Sequence, residues 1–387
     1  MSENHTPRWM RVGASAALDS ARAAREAVEI ALEGGEAALV LIFVSPSCDV
    51  PSVAVAANFA ARGAPLIGCS TAGEIAEGVA GSGRVVAVAM GGEGFVARTS
   101  LGLLADGGEV AGAAAAQGLV GLEAKNRALV LLSGGNAGNH GAVVRGAYGV
   151  GGASVKMAGG CAADEGARTA IWVIHGGQAL QDAVVGAAIG SAGSIGVGLG
   201  HGWTPTGESM VVTKSDGQRI FTLDDQPALD RYLAVAGVTN AQFEDPAQWS
   251  QIILTRPLGM PRPEGVEVRT VLDGDAANRS LLCGDVPQGA IMSVMRGDIG
   301  TALEGAREAC VAVLDDLGDE APVGVLAFDC AGRRSVLGEE GVVAEMATLA
   351  EFFDETPLAG FYTYGEVARK SGSRGIHGAT LVLLALG

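Results

Sequence analysis

One ten-residue pattern occurs three times in this chain with identical spacing. Pro65-Leu66-Ile67-Gly68-Cys69-Ser70-Thr71-Ala72-Gly73-Glu74 aligns with the segment from Lys156 to Glu165 and with the segment from Pro357 to Glu366. Each has a short apolar run and then Gly-x5-Glu, with Gly or Asp just before the Glu. The surroundings recur as well. Apolar, strand-like runs precede the pattern at 38–45, 128–133 and 323–328, and others follow at 85–90, 170–175 and 380–386. A glycine closing an apolar run permits close backbone approach or positive φ, and so predicts a tight bend at a strand end. Loops held at strand ends by a rigid sheet are common ligand sites. An internal repeat with three related bends converging on one site is the expectation.

The length of 387 residues suits two or three domains of ~100–200 residues each. Hydrophobic content is 48% but aromatic content only 4%, so the cores are built from Ala, Val, Leu and Ile. Sixty glycines are about twice the usual ~7%, which suits close-packed α/β layers better than a helical bundle. The net charge is −17, from 43 acidic and 26 basic residues, with no basic cluster to neutralise a row of phosphates. Nucleic acid and anionic membrane are therefore disfavoured as partners. The N-terminal residues show no apolar signal core, and the uncharged stretch 183–200 is too rich in Gly, Ala and Ser for a membrane helix. A cytoplasmic protein is expected. Cys48, Cys69, Cys161, Cys283, Cys310 and Cys330 are widely spaced without C-x-x-C, so they read as free thiols, not a metal centre.

Past a polar leader (1–13), helices are predicted at 14–33, 51–61, 110–119, 140–149 and 301–317, and strands at 84–90 and 95–103. Asp216-Gly217, between two β-branched runs, signals a hairpin. Further strands are expected at 251–254, 266–272 and 291–295. The fold class is α/β with mixed sheets and strand-helix-strand-bend-strand repeats. A texture change near 204–226 divides the chain into halves 1–221 and 222–387, packed as one compact unit.

The ordered landmarks resemble the FIST domain, a sensory module of bacterial and eukaryotic signalling proteins with N-terminal and C-terminal halves. The resemblance rests on Ile67–Ile75, Gly159-Gly160-x-Ala-x-Asp164 and Gly200-His201-Gly202-Trp203-x-Pro205-x-Gly207 in the first half. Leu223-Asp224-x-x-Pro227-Ala228-Leu229-x-x-Tyr232, Phe328–Arg333, Pro357–Glu366 and His377-x-x-Thr380 carry it in the second. It covers nearly the whole chain, although Gly378 stands where family members often place Asn. The resemblance implies a sensor of small polar metabolites, such as an amino acid or peptide-like ligand, without established catalysis. Output would pass through a separate partner such as a kinase or cyclase. A subset of the family is linked to haem and nitric oxide.

The candidate ligand-binding residues are Cys69, Ser70, Thr71, Glu74, Cys161, Asp164, Glu165, His201, Arg333, Tyr362, Tyr364 and Glu366. A glutamate in such a bend either receives a ligand's ammonium group or braces the loop by accepting its N–H groups. Hydroxyls and amides of Cys69-Ser70-Thr71 suit a carboxylate or serve the turn. A Cys69 or Ser70 nucleophile with His201 as base is the enzyme alternative, although no orienting third group is evident. None of His5, His140, His175, His201 and His377 forms a zinc-type pair, whereas His201 beside Trp203 could ligate haem iron. Tyr362 and Tyr364 alternate and are expected on one face, lining a pocket or capping the core. Arg333 either counters an acidic ligand or makes an exposed salt bridge.

Overall fold

Three of the sheets are copies of one plan. A computed structural model describes residues 6–134, 139–165, 170–262, 265–284, 286–369 and 375–387. In each copy two central strands run parallel, joined by a crossover helix, and a return strand lies antiparallel beside the first. The central pairs are Ala37–Val44 with Leu66–Ser70, Asn126–Ser133 with Lys156–Cys161, and Gly324–Cys330 with Leu358–Thr363. The return strands are Val85–Gly91, Ala183–Ser191 and Leu381–Leu386. A leading strand flanks each return strand: Trp9–Ser15, Phe95–Leu103 and Ile195–Gly200. Mixed α/β sheets in one compact body are thus the architecture.

Between the second central strand and the return strand each unit extends a short arm, and the arm does not join its own sheet. Glu74–Ala76 pairs with Leu358–Thr363 of the third unit. Glu366–Arg369 pairs with Lys156–Cys161 of the second. Val173–His175 pairs with Leu66–Ser70 of the first. The exchange closes in a cycle. Each arm satisfies the outer backbone groups of a central strand that would otherwise be a sheet edge.

The inner faces of the three sheets meet in a shared core containing Leu41, Phe43, Leu132, Val185, Phe328 and Phe361. Phe361 contacts Phe43 at 4.9 Å and Phe328 edge-on at 5.7 Å between ring centroids. Outside, each sheet carries its own helix pair, such as Ser20–Leu32 with Val50–Ala60. The glycine content follows from how closely these layers approach. A Cβ on Gly13 would meet the Ala27 carbonyl oxygen at 2.1 Å; Gly102 would meet that of Ala111 at 2.0 Å and Gly198 that of Ala309 at 2.4 Å. The repeated glycines Gly68, Gly159 and Gly360 sit within the second central strands. Their Cβ atoms would lie 2.1, 2.1 and 1.7 Å from the carbonyl oxygens of Ile42, Leu131 and Ala327. Close approach to the neighbouring strand, not a strand-end bend, is what makes them glycine.

The described residues between Thr204 and Arg296 form an insertion within the third unit, with a fourth antiparallel sheet and three helices. Its separate core includes Met210, Leu229 and Leu281, with Tyr232 and Phe243 edge-on to Trp249. The Asp216-Gly217 hairpin forms as expected between Thr204–Asp216 and Arg219–Leu223, with Gly217 at φ +53°.

Several expected elements differ. The polar leader contains the strand Trp9–Ser15, and the first helix starts only at Ser20, where Asp19 caps it by accepting from the Arg22 amide at 2.7 Å. Segment 251–254 is not a strand but the end of helix Pro246–Thr255, which Asp245 caps and Pro246 opens. In the second unit the run at 170–175 is the exchanged arm, and the true return strand is Ala183–Ser191. We expect Gly360→Ala to destabilise the protein by more than ~3 kcal/mol, since backbone must move to admit the methyl. Gly149→Ala, on open helix surface, should stabilise by ~0.5–1 kcal/mol. Urea unfolding midpoints check both.

Candidate functional site

The three bends meet through their backbones. The Ala72 amide donates to the Tyr362 carbonyl at 2.9 Å, the Ala163 amide to the Ser70 carbonyl at 3.0 Å, and the Tyr364 amide to the Cys161 carbonyl at 3.2 Å. Positions 72, 163 and 364 are equivalent in the repeat, as are 70, 161 and 362. The same bond therefore runs three times, each from one unit to another. It continues the arm exchange and draws the bends together at one end of the shared core.

Two bends carry the same internal brace. Thr71 Oγ1 accepts from the Gly73 amide at 3.2 Å and donates to Glu74 Oε1. Thr363 Oγ1 accepts from the Gly365 amide at 3.2 Å and donates to Glu366 Oε1 at 2.6 Å. Glu366 Oε2 also accepts from the Thr380 amide at 3.1 Å. Both carboxyls are buried. Burial raises Glu74 to about 7 and Glu366 to about 8, even though the threonine bond to each favours the ionised form. These two glutamates brace their bends.

The second bend breaks this pattern. Ala162 stands where the others have threonine, so no hydroxyl is present to hold Glu165. Glu165 is exposed, at φ +57°, a left-handed conformation costly for a residue with a Cβ. Beside it, buried Asp164 Oδ1 accepts from the Tyr364 hydroxyl at 2.7 Å. Tyr362 and Tyr364 do not share a face as expected. Tyr362 points into the core beneath the Arg334 guanidinium, 4.9 Å from its ring centre, whereas Tyr364 lies past the strand's end and is 43% exposed.

Cys69 is fully buried in the shared core, and burial, then Cys161 and Glu74, push its thiol well above the ordinary value. Such a thiol is a poor nucleophile. Ser70 Oγ accepts from the Trp172 amide at 3.0 Å, holding the exchanged arm. Cys161 is likewise buried, its thiol raised by burial and then by Glu366.

His201 and Arg333 belong to another cluster. Arg333 is buried, contrary to the expected exposed salt bridge. It donates to Asp329 Oδ1 at 2.9 Å, to Glu345, and to the carbonyls of His201 and Ala302 at 2.8 and 3.1 Å. Asp329, four residues earlier at the end of the strand Gly324–Cys330, makes that burial tolerable by pairing. His201 Nδ1 accepts from the Trp203 amide at 2.9 Å. Burial, then Arg333, lower His201 to about 4. Trp203 is buried and donates its indole N–H to the Ala379 carbonyl at 2.7 Å. An imidazole whose Nδ1 lone pair is taken, so that its proton sits on Nε2, and an indole locked in a core do not fit haem ligation.

Among the other histidines, His140 bonds Ser133, His175 bonds Thr99 and His377 bonds the Ala368 carbonyl; His5 lies outside the described residues. No cluster of metal-ligating side chains occurs among the described residues. Sequence reasoning overlooked Thr363, Asp329 and Glu345. The repeated Thr-x-Gly-Glu spacing was a signal for the first, and the i,i+4 relation to Arg333 for the second; nothing local marks Glu345.

The raised carboxyls set a pH dependence. Glu366 holds its proton in the folded protein up to about 8, whereas an unfolded glutamate ionises near ~4.3. Its contribution is therefore full below the unfolded value and is lost as pH rises through the folded one, and Glu74 acts in the same direction. Glu366→Gln cannot ionise. Its stability relative to the parent should grow by up to about 1.4 kcal/mol per pH unit between those values and then level off. Denaturation curves from pH 5 to 9, at roughly unit steps, measure the difference; parallel curves would contradict the assignment.

Comparison with known proteins agrees with this geometry. The FIST N domain model matches residues 38–226 and the FIST C domain model residues 228–369. An uncharacterized protein of Mycobacterium tuberculosis is 29% identical over 206 residues, 52% of this chain and 53% of that protein. An uncharacterized protein of Methanocaldococcus jannaschii is 26% identical over 154 residues, 38% of this chain and 30% of its own length. The chain thus spans about half the length, or less, of these curated relatives. Both matches of the domain models follow the chain in order and together reach all three bends: this chain belongs to the FIST family, a group associated with sensory and signal-transduction roles.

Proposed function

We propose that this protein is a sensor that binds a small polar metabolite carrying a cationic amine, such as an amino acid, at the second bend. One observation carries the reading. Of three equivalent glutamates, two are buried and tied to a threonine, while Glu165 has no such partner, is exposed, and keeps a strained backbone. Departures from an otherwise consistent pattern are where function is expected. Asp164 and Tyr364 adjoin it, bonded to each other across the second and third units. A cation there would meet the exposed Glu165 carboxylate, and a charge-assisted bond would orient its amine.

Because Tyr364 belongs to the third unit and Asp164 to the second, a ligand at this rim would contact two units together. That gives it a route to alter their fit and, through that, a separate partner such as a kinase or cyclase. The buried Cys69 thiol and the His201 ring, its Nδ1 taken by the Trp203 amide, favour neither nucleophilic catalysis nor a haem sensor over this reading.

A thermal-shift screen of amino acids and small amines tests it. A ligand at a hundred times its dissociation constant adds ~2.7 kcal/mol of stability. Glu165→Gln, at an exposed position, should keep the unliganded melting temperature and lose most of the ligand-induced shift. A shift of parental size in Glu165→Gln would sink the assignment of this bend.

A further inference from the structure

The cyclic exchange leaves crevices at the seams, where the start of one unit's second central strand meets the leading strand of another. Two of these seams are homologous and open, yet they carry opposite charge. Between the third unit and the first lies a groove of about 600 Å³ lined by Glu33, Glu77, Asp354 and Glu355, with Arg11 paired to Glu33 at 3.1 Å. Between the second unit and the third lies a crevice of about 440 Å³ lined by Lys125, Arg127, Lys156, Ser154, Asn126 and Glu123. The chain has a net charge of −17 and only four lysines, and two of the four line this one crevice.

The cations there are not equivalent. Lys156 is committed to the seam: its ammonium bonds the Ile195 carbonyl and pairs with Asp316 at 2.9 Å. Arg127 makes one bond, to Ser154 Oγ at 3.2 Å, leaving further guanidinium N–H groups. Lys125 is exposed and makes no hydrogen bond or ion pair among the described residues. A flexible ammonium and a planar guanidinium two residues apart, beside a hydroxyl, form the donor set that phosphate oxygens require. The volume suits a small ligand and not a polymer.

We propose that this crevice binds a small dianion, inorganic phosphate or a phosphate monoester, with Lys125 and Arg127 as its principal contacts. The site is separate from the second bend and of opposite preference. Lys156 begins the strand Lys156–Cys161, which runs directly into that bend, so occupancy of the seam bears on the bend's placement. The proposal does not rest on the amine reading, and its probe is chemically distinct.

Melting curves in sodium phosphate and in glycerol phosphate, against sodium chloride of equal ionic strength, provide the test. The parent should show a saturable rise in melting temperature with phosphate beyond that in chloride. Lys125→Gln/Arg127→Gln should weaken phosphate binding by at least ~10-fold, since charge-assisted bonds are lost. A saturable response to inorganic phosphate alone identifies the free ion as the ligand; a stronger response to glycerol phosphate identifies the monoester. If the double variant melts early without ligand, Lys125→Gln alone is read by equilibrium dialysis with labelled phosphate. No shift beyond the chloride control, or an unchanged response in the variants, would overturn the proposal.

Discussion

A strand end in a mixed sheet leaves carbonyl and amide groups that must find partners, and here each unit finds them in another unit. The carbonyls of Ser70, Cys161 and Tyr362 accept from the amides of Ala163, Tyr364 and Ala72, and the arms beyond those amides complete the neighbouring sheets. Buried backbone groups cannot be left unpaired without a cost of about 1–3 kcal/mol each. The exchange is therefore what lets three sheets with exposed edges become one body with a common core. The position of every candidate residue at the bends descends from it.

The second requirement is closeness. Three sheets around one core, each covered by two helices, bring backbones within reach of one another at glycines such as Gly13, Gly102 and Gly360. Alanine-rich helices allow the same proximity from the other side. High glycine and low aromatic content are thus one fact seen twice. Three of the nine phenylalanines, Phe43, Phe328 and Phe361, pack against one another in the shared core, where the first and third units meet.

Much of this was legible from the chain. The threefold Gly-x5-Glu spacing marked the units, Phe95–Leu103 matched its predicted limits, and the Asp216-Gly217 turn closed its hairpin. What escaped was non-local. The exchange of arms leaves no local signature, so 170–175 read as a return strand when it belongs to another sheet. Trp9–Ser15 escaped because its glycine serves an approaching helix and interrupts the apolar alternation. At the site, the convergence of the bends was foreseeable from repetition. The burial of Arg333 was not, because Glu345 joins it from twelve residues on, past the break at Gly338, at no helical spacing that the sequence marks. The missing threonine at Ala162 was visible in the alignment of repeats, but its meaning depended on seeing how the other two threonines are used.

The arm exchange also has a temporal side. The edge of the third unit's sheet receives Glu74–Ala76, and the edge of the first receives Val173–His175. As the polypeptide leaves the ribosome, the first arm exists long before its docking strand has been made. Early segments must wait with unpaired borders until Leu358–Thr363 has been made, and long-range closure of this kind is slow. Loss of the strand Leu358–Thr363 would then leave the first unit's arm stranded as much as the third unit's own sheet.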